Sequence, residues 1–166
     1  MLMHQITDWD DAYANGVHIP DGKDYPAKWA AAAKLFRDHL ATRMVCRNTP
    51  LGNDVLSRIE RTVSISGVHD LRPLMKTEMN DTLHIDRMEA LLESPALLEP
   101  VGDTRLVCWV GAGERAEFIR QNALLASMWK GLGAATASVE EPDRHHFNVI
   151  DGLLEASHPL TCALCA

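Results

Sequence analysis

The chain has 166 residues, 46% of them apolar and 23% charged, which is the composition of one soluble globular domain with a single core. Disordered, collagen-like and low-complexity classes are excluded. Its 16 basic and 23 acidic residues leave a net charge of −7, which disfavours nucleic acid and anionic membrane surfaces as partners. No run approaches the roughly 18 apolar residues that span a bilayer, and the start MLMHQ lacks the regions of a signal peptide, so the cytoplasm is the expected compartment.

Residues 1–25 carry Gly16, Pro20, Asp21 and Gly22 without sustained periodicity and read as an irregular arm, with one short helical turn near Trp9 to Tyr13. A long amphipathic helix is predicted from Pro26 to Val45. Trp29, Ala33, Phe36, Leu40 and Met44 recur there at spacings of three and four behind a proline suited to a first turn. After a turn at 48–53 and a short helical stretch near Asp54 to Glu60, Thr62 to Ser66 reads as a strand ending at Gly67. Leu106 to Val110 is an unbroken apolar run, the pattern of a parallel strand buried on both faces. The long connection between them, with helical pieces near Leu71 to Thr77 and Ile85 to Leu92, is a crossover.

Phe118, Asn122, Leu125, Trp129 and Leu132 mark a second long helix, with Glu114 and Glu117 at its start and Gly131 and Gly133 at its end. Ala134 to Val139 is a third, short strand, and Ile150 to Leu154 and Leu160 to Leu164 are brief helices. The order implies an α/β fold of about three parallel strands flanked by helices.

Cys46 and Cys108 stand alone, and Cys162 and Cys165 form a terminal Cys-x-x-Cys beside His158. This is no disulfide framework, and the pair lacks the second ligand pair of a closed zinc site, so neither a metal nor a cofactor is predicted.

In open parallel sheets ligands bind beyond the carboxyl ends of the strands, here the loops Gly67 to Leu71, Gly111 to Arg115 and Pro142 to Phe147. The second delivers Glu114 and the third His145 and His146. Together these make two-thirds of an acid, base and nucleophile triad. A glutamate before a helix also serves the helix dipole, and a His-His pair is also an ordinary solvated loop, so both readings stand on spacing alone.

The segments Asp8 to Pro20 (DWDDAYANGVHIP) and Tyr25 to Trp29 (YPAKW) resemble the N-terminal part of the α/β-hydrolase family that includes kynurenine formamidases (arylformamidases) and related carboxylesterases. Val63 to Leu74 (VSISGVHDLRPL), Trp109 to Gln121 and Glu140 to Gly152 resemble that family's last three strands and their loops. The resemblance places Glu114 at the acid position, usually an aspartate, and His146 at the catalytic histidine. It implies hydrolysis of an N-formyl amide or ester of a small molecule, as in tryptophan catabolism.

Such enzymes carry the nucleophile in a Gly-x-Ser-x-Gly elbow and build the oxyanion hole partly from a His-Gly-Gly loop. None of the seven serines has glycines two positions away on both sides. The resemblance runs to about Arg37 or Asp38 and resumes at His39 to Met44, which looks like the helix after the elbow. Residues 1–166 are therefore expected to form one internally deleted α/β-hydrolase domain, without activity as it stands. Ser66 is read as scaffold, since no paired N–H groups are evident beside it. The alternatives are a non-catalytic remnant or interaction module and, third, a metal-binding protein using His145, His146, Cys162 and Cys165. The strand 62–66, deprived of its neighbour, is expected to mediate self-association.

Overall fold

The computed structural model describes residues 8–13 and 38–165. Three parallel strands, β1 (Thr62–Ile65), β2 (Arg105–Gly111) and β3 (Ala135–Glu141), form one sheet in the order β1-β2-β3. Ile65 lies opposite Trp109 on β2, and Trp109 opposite Val139 on β3. Four helices matter to the site: α1 (Trp9–Tyr13), α2 (Arg87–Glu93), α3 (Ala116–Gly131) and α4 (Pro159–Cys165). Residues 38–43 are also helical.

The alternation of β2 divides the core between two faces. Leu106 and Cys108 pack with Leu125 and Trp129 of α3, while Val110 packs with Phe118 and with Tyr13 of α1. Trp109 points the other way, into a cluster with Ile65, Val149 and Leu160 that the C-terminal segment covers. Trp129 is completely buried, and its indole N–H donates to the Pro95 carbonyl at 3.0 Å, so the crossover is tied to α3 by a satisfied polar atom.

The expected strands are present. β2 and β3 each run past their expected ends, to Gly111 and Glu141, because backbone pairing continues into the polar residues that follow the apolar run. The expected helix at 71–77 is a tight 3₁₀ turn (Arg72–Lys76) with Pro73 near its start. That at 85–92 is preceded by a separate turn (Asn80–Leu83), which His84 closes in the left-handed region, and Asp86 then caps α2 by accepting the Glu89 N–H at 2.8 Å. The stretch near 54–60 is helical only over Asn53–Leu56. Of the long helix expected from Pro26 to Val45, residues 26–37 lie outside the described residues, as does the arm apart from α1.

The outer edge of β1 differs from the open edge expected from the sequence. The Ser66 N–H donates inward to Trp109 O at 2.7 Å, so the preceding Ile65 N–H points off the sheet, where Asp38 Oδ1 accepts it at 3.2 Å. A helix backbone cannot satisfy a strand edge, but this side chain at the start of the segment 38–43 does so for one group. No helix among the described residues is long and apolar enough to cross a membrane.

Candidate active site

The loops after β2 and β3 are joined backbone to backbone. Ala112 N–H donates to Glu141 O at 2.8 Å, and Gly113 N–H donates to Arg144 O at 2.9 Å. Asp143 takes a left-handed conformation (φ 59°) that reverses the chain, and Asn148 Oδ1 then accepts the His145 N–H at 2.7 Å. Glu114 and His146 are thereby brought to one rim of the sheet.

Their side chains meet. His146 Nδ1 lies 2.6 Å from Glu114 Oε2, and the carboxylate of Glu114 is fully buried while the ring of His146 is 4% exposed. A ring nitrogen facing a carboxylate carries the proton, so the neutral imidazole is protonated at Nδ1 and keeps its lone pair on Nε2. Phe118 lies against the ring at 4.6 Å between centroids, Phe147 stands nearly perpendicular to it at 5.6 Å, and Tyr13 packs edge-on against Phe118 at 5.5 Å. This apolar wall strengthens the hydrogen bond by excluding water.

The second carboxylate oxygen, Glu114 Oε1, accepts the Gly111 N–H at 3.0 Å and the hydroxyl of Ser66. Ser66 is fully buried and sits in the left-handed region at φ 57°. A Cβ at the following Gly67 would lie 2.4 Å from Ser64 Oγ and 2.6 Å from His69 Cε1, so the turn after β1 admits only glycine there. The sequence assigns Ser66 to the scaffold and does not reveal its carboxylate partner, which lies 48 residues away in the chain. The available signal was a serine, then a glycine, at the carboxyl end of a strand.

No family profile matches the chain. Kynurenine formamidase of Salmo salar is 26% identical over 113 residues, matching 64% of this chain and 38% of that protein. Kynurenine formamidase of Danio rerio is 25% identical over 128 residues, 74% of this chain and 43% of that one. Among solved structures, a Silicibacter sp. TM1040 protein described as a "putative thioesterase" superposes with a TM-score of 0.71 at 35% identity, covering 78% of this chain and 47% of its own. The chain is related to the α/β-hydrolases. It spans about two fifths of the length of the curated relatives it matches, and its three parallel strands with flanking helices are a partial α/β-hydrolase fold.

His145 and the polar residues of the loop after β1 are engaged elsewhere. His145 Nδ1 accepts the Phe147 N–H at 3.2 Å, a turn contact apart from the Glu114 pair. His69 is completely buried between Thr42 Oγ1 and Ser64 Oγ, each 3.3 Å away, and burial pushes its pKa down to about 3. Asp70 is held by two contacts from Arg72 at 2.8 Å, which keep its carboxyl below the usual range against the effect of burial.

Burial pushes the thiols of Cys46 and Cys108 up to about 12, which removes them as nucleophiles at neutral pH. The third sequence reading, a metal held by His145, His146, Cys162 and Cys165, is corrected. Among the described residues no three histidine, cysteine or acidic side chains are grouped to hold a metal ion, because His146 is taken up by Glu114 and the two cysteines lie on the exposed terminal helix.

Proposed function

We propose that this chain keeps the acid and the histidine of a serine-hydrolase site, Glu114 and His146, and lacks the nucleophile elbow and oxyanion loop, so that it does not by itself turn over a carbonyl substrate. The observation that carries the reading is the buried 2.6 Å contact between Glu114 and His146 on the rim where α/β sheets bind ligands. In a complete site of this kind a serine hydroxyl attacks the carbonyl. His146 Nε2 takes the hydroxyl proton and returns it to the leaving group, while Glu114 orients the ring and stabilises the imidazolium.

The names of the relatives point to the substrate class, a small molecule with an activated acyl group. It is an N-formyl amide, as in tryptophan catabolism, or a thioester or oxygen ester. The working compartment on this reading is the cytoplasm, and the chain is a single domain with an internal gap near Asp38 and His39. The second reading, a non-catalytic interaction module, draws on the enclosure of the His146 ring by Phe118 and Phe147.

A serine-directed fluorophosphonate probe tests the proposal. The expected result is no labelling of the purified chain, and labelling at one serine that disappears in His146→Ala would overturn it.

A further inference from the structure

Three observations converge on Ser66. The residue is the first after β1 and completely buried, yet it adopts a left-handed backbone that carries a steric cost for a non-glycine residue. Glycine would remove that cost and already occupies the next position. The hydroxyl that a glycine would lack is spent on Glu114 Oε1, while Oε2 of the same carboxylate holds His146. The Gly111 N–H also reaches Oε1, so that oxygen is fixed by the serine and the backbone while Oε2 faces the imidazole.

A glutamate has one more rotatable bond than the aspartate usual at this place. Its carboxylate therefore needs fixing from a second direction if the imidazole is to keep a single orientation. We infer that Ser66 is a positioning residue for the acid–imidazole pair: its hydroxyl, delivered by the left-handed turn that ends β1, locks the Glu114 carboxylate in the orientation that holds the Nδ1 proton of His146.

The hydroxyl donates to the carboxylate and so serves as an orienting group, distinct from a replacement nucleophile. The inference rests on the reading of Glu114 and His146 as the acid and base of the site, and it adds a third member to that pair from the crossover loop.

The test is NMR of the 15N-labelled full chain, following the Nδ1 proton of His146, assigned by its loss in His146→Ala. Ser66→Gly removes the hydroxyl and relieves the backbone strain, so the fold is retained, whereas Ser66→Ala removes the hydroxyl and keeps the strain. In both variants the Nδ1 proton is expected to exchange with solvent about tenfold faster or more, the factor matching loss of one charge-assisted hydrogen bond. Unchanged exchange in a folded Ser66→Gly chain would overturn the inference alone and leave the pair intact. A Ser66→Gly chain that fails to fold would make the hydroxyl a fold determinant, which also overturns it. If the unmodified chain has no His146 Nδ1 signal sensitive to Glu114→Gln, the pair itself fails, and the inference with it.

Discussion

Gly111 and Arg144 touch through their backbones: a Cβ on Gly111 would lie 2.5 Å from the Arg144 carbonyl oxygen and 2.7 Å from its carbon. This close approach lets the loops after β2 and β3 share hydrogen bonds and so bring Glu114 to His146. Gly111→Ala is therefore expected to destabilise the chain by about 1–3 kcal/mol, the cost of overpacking a site that cannot give way, and to separate the pair. Gly131, where a Cβ meets nothing within 4 Å, is the control. Gly131→Ala is expected to stabilise α3 by about 0.5–1 kcal/mol. Urea denaturation of the two variants measures both.

The strands were legible because Leu106 to Val110 is apolar on both faces and the turn glycines bracket it, and α3 because its stripe holds for four turns. Glu114 and the pair His145 and His146 were legible as an acid and an imidazole on one rim from their places after strands, and the family resemblance singled out His146 of the two. Ser66 was not, because a hydroxyl buried against a carboxylate 48 residues away has no local signature. The same holds for the Asp38 cap on Ile65, which joins parts of the chain 27 residues apart. The helical piece near 71–77 was legible but its 3₁₀ form was not, because five residues are too few for a period of 3.0 to be told from one of 3.6.

Among the described residues, the buried Ser66, Gly111 and His146 donate to Glu114. Glu114→Ala leaves these donors without their carboxylate and is expected to cost about 3 kcal/mol or more. Glu114→Gln keeps an acceptor oxygen but presents an amide N–H to one neighbour. It is expected to cost less and to turn His146 to the Nε2-protonated tautomer, removing the lone pair from the position a base needs. Imidazole 15N shifts read the tautomer directly; an unchanged tautomer in a folded Glu114→Gln chain would contradict the assignment.

Acid should loosen the packing of residues 38–43 against the loop after β1. His39 and His69 both meet there, through Val68 O and Thr42 Oγ1, and burial lowers the pKa of each. The Glu93 charge opposes the shift of His39, and that of Arg43 adds to it. Because the folded pKa lies below the unfolded value, the unfolded chain takes up protons first. Stability is then complete above about pH 6.5 and is lost as the pH falls toward about 3, by up to roughly 5 kcal/mol for His69. Asp70 adds to the loss only below about pH 4. Urea midpoints between pH 7 and 4.5 should fall in the native chain and fall less in His69→Gln; equal slopes would remove His69 as the cause.

The Asp38 carboxylate blunts the edge of β1 at Ile65. Self-association through residues 62–66 is therefore expected to be weak in the native chain and stronger in Asp38→Ala, where the Ile65 N–H is released. Size-exclusion chromatography with light scattering over a dilution series distinguishes the two. Identical monomers throughout would show that this edge pairs with nothing.

On the proposed reading, Glu114 and His146 form an acid–histidine pair without the means to attack a carbonyl. The most direct measurement compares hydrolysis of N-formyl-kynurenine and of a p-nitrophenyl ester by the purified chain and by His146→Ala. Equal rates are expected, both at the level of free imidazole and water. Turnover that is faster in the native chain, saturates with substrate and is lost with His146 would contradict it and require a nucleophile within these 166 residues.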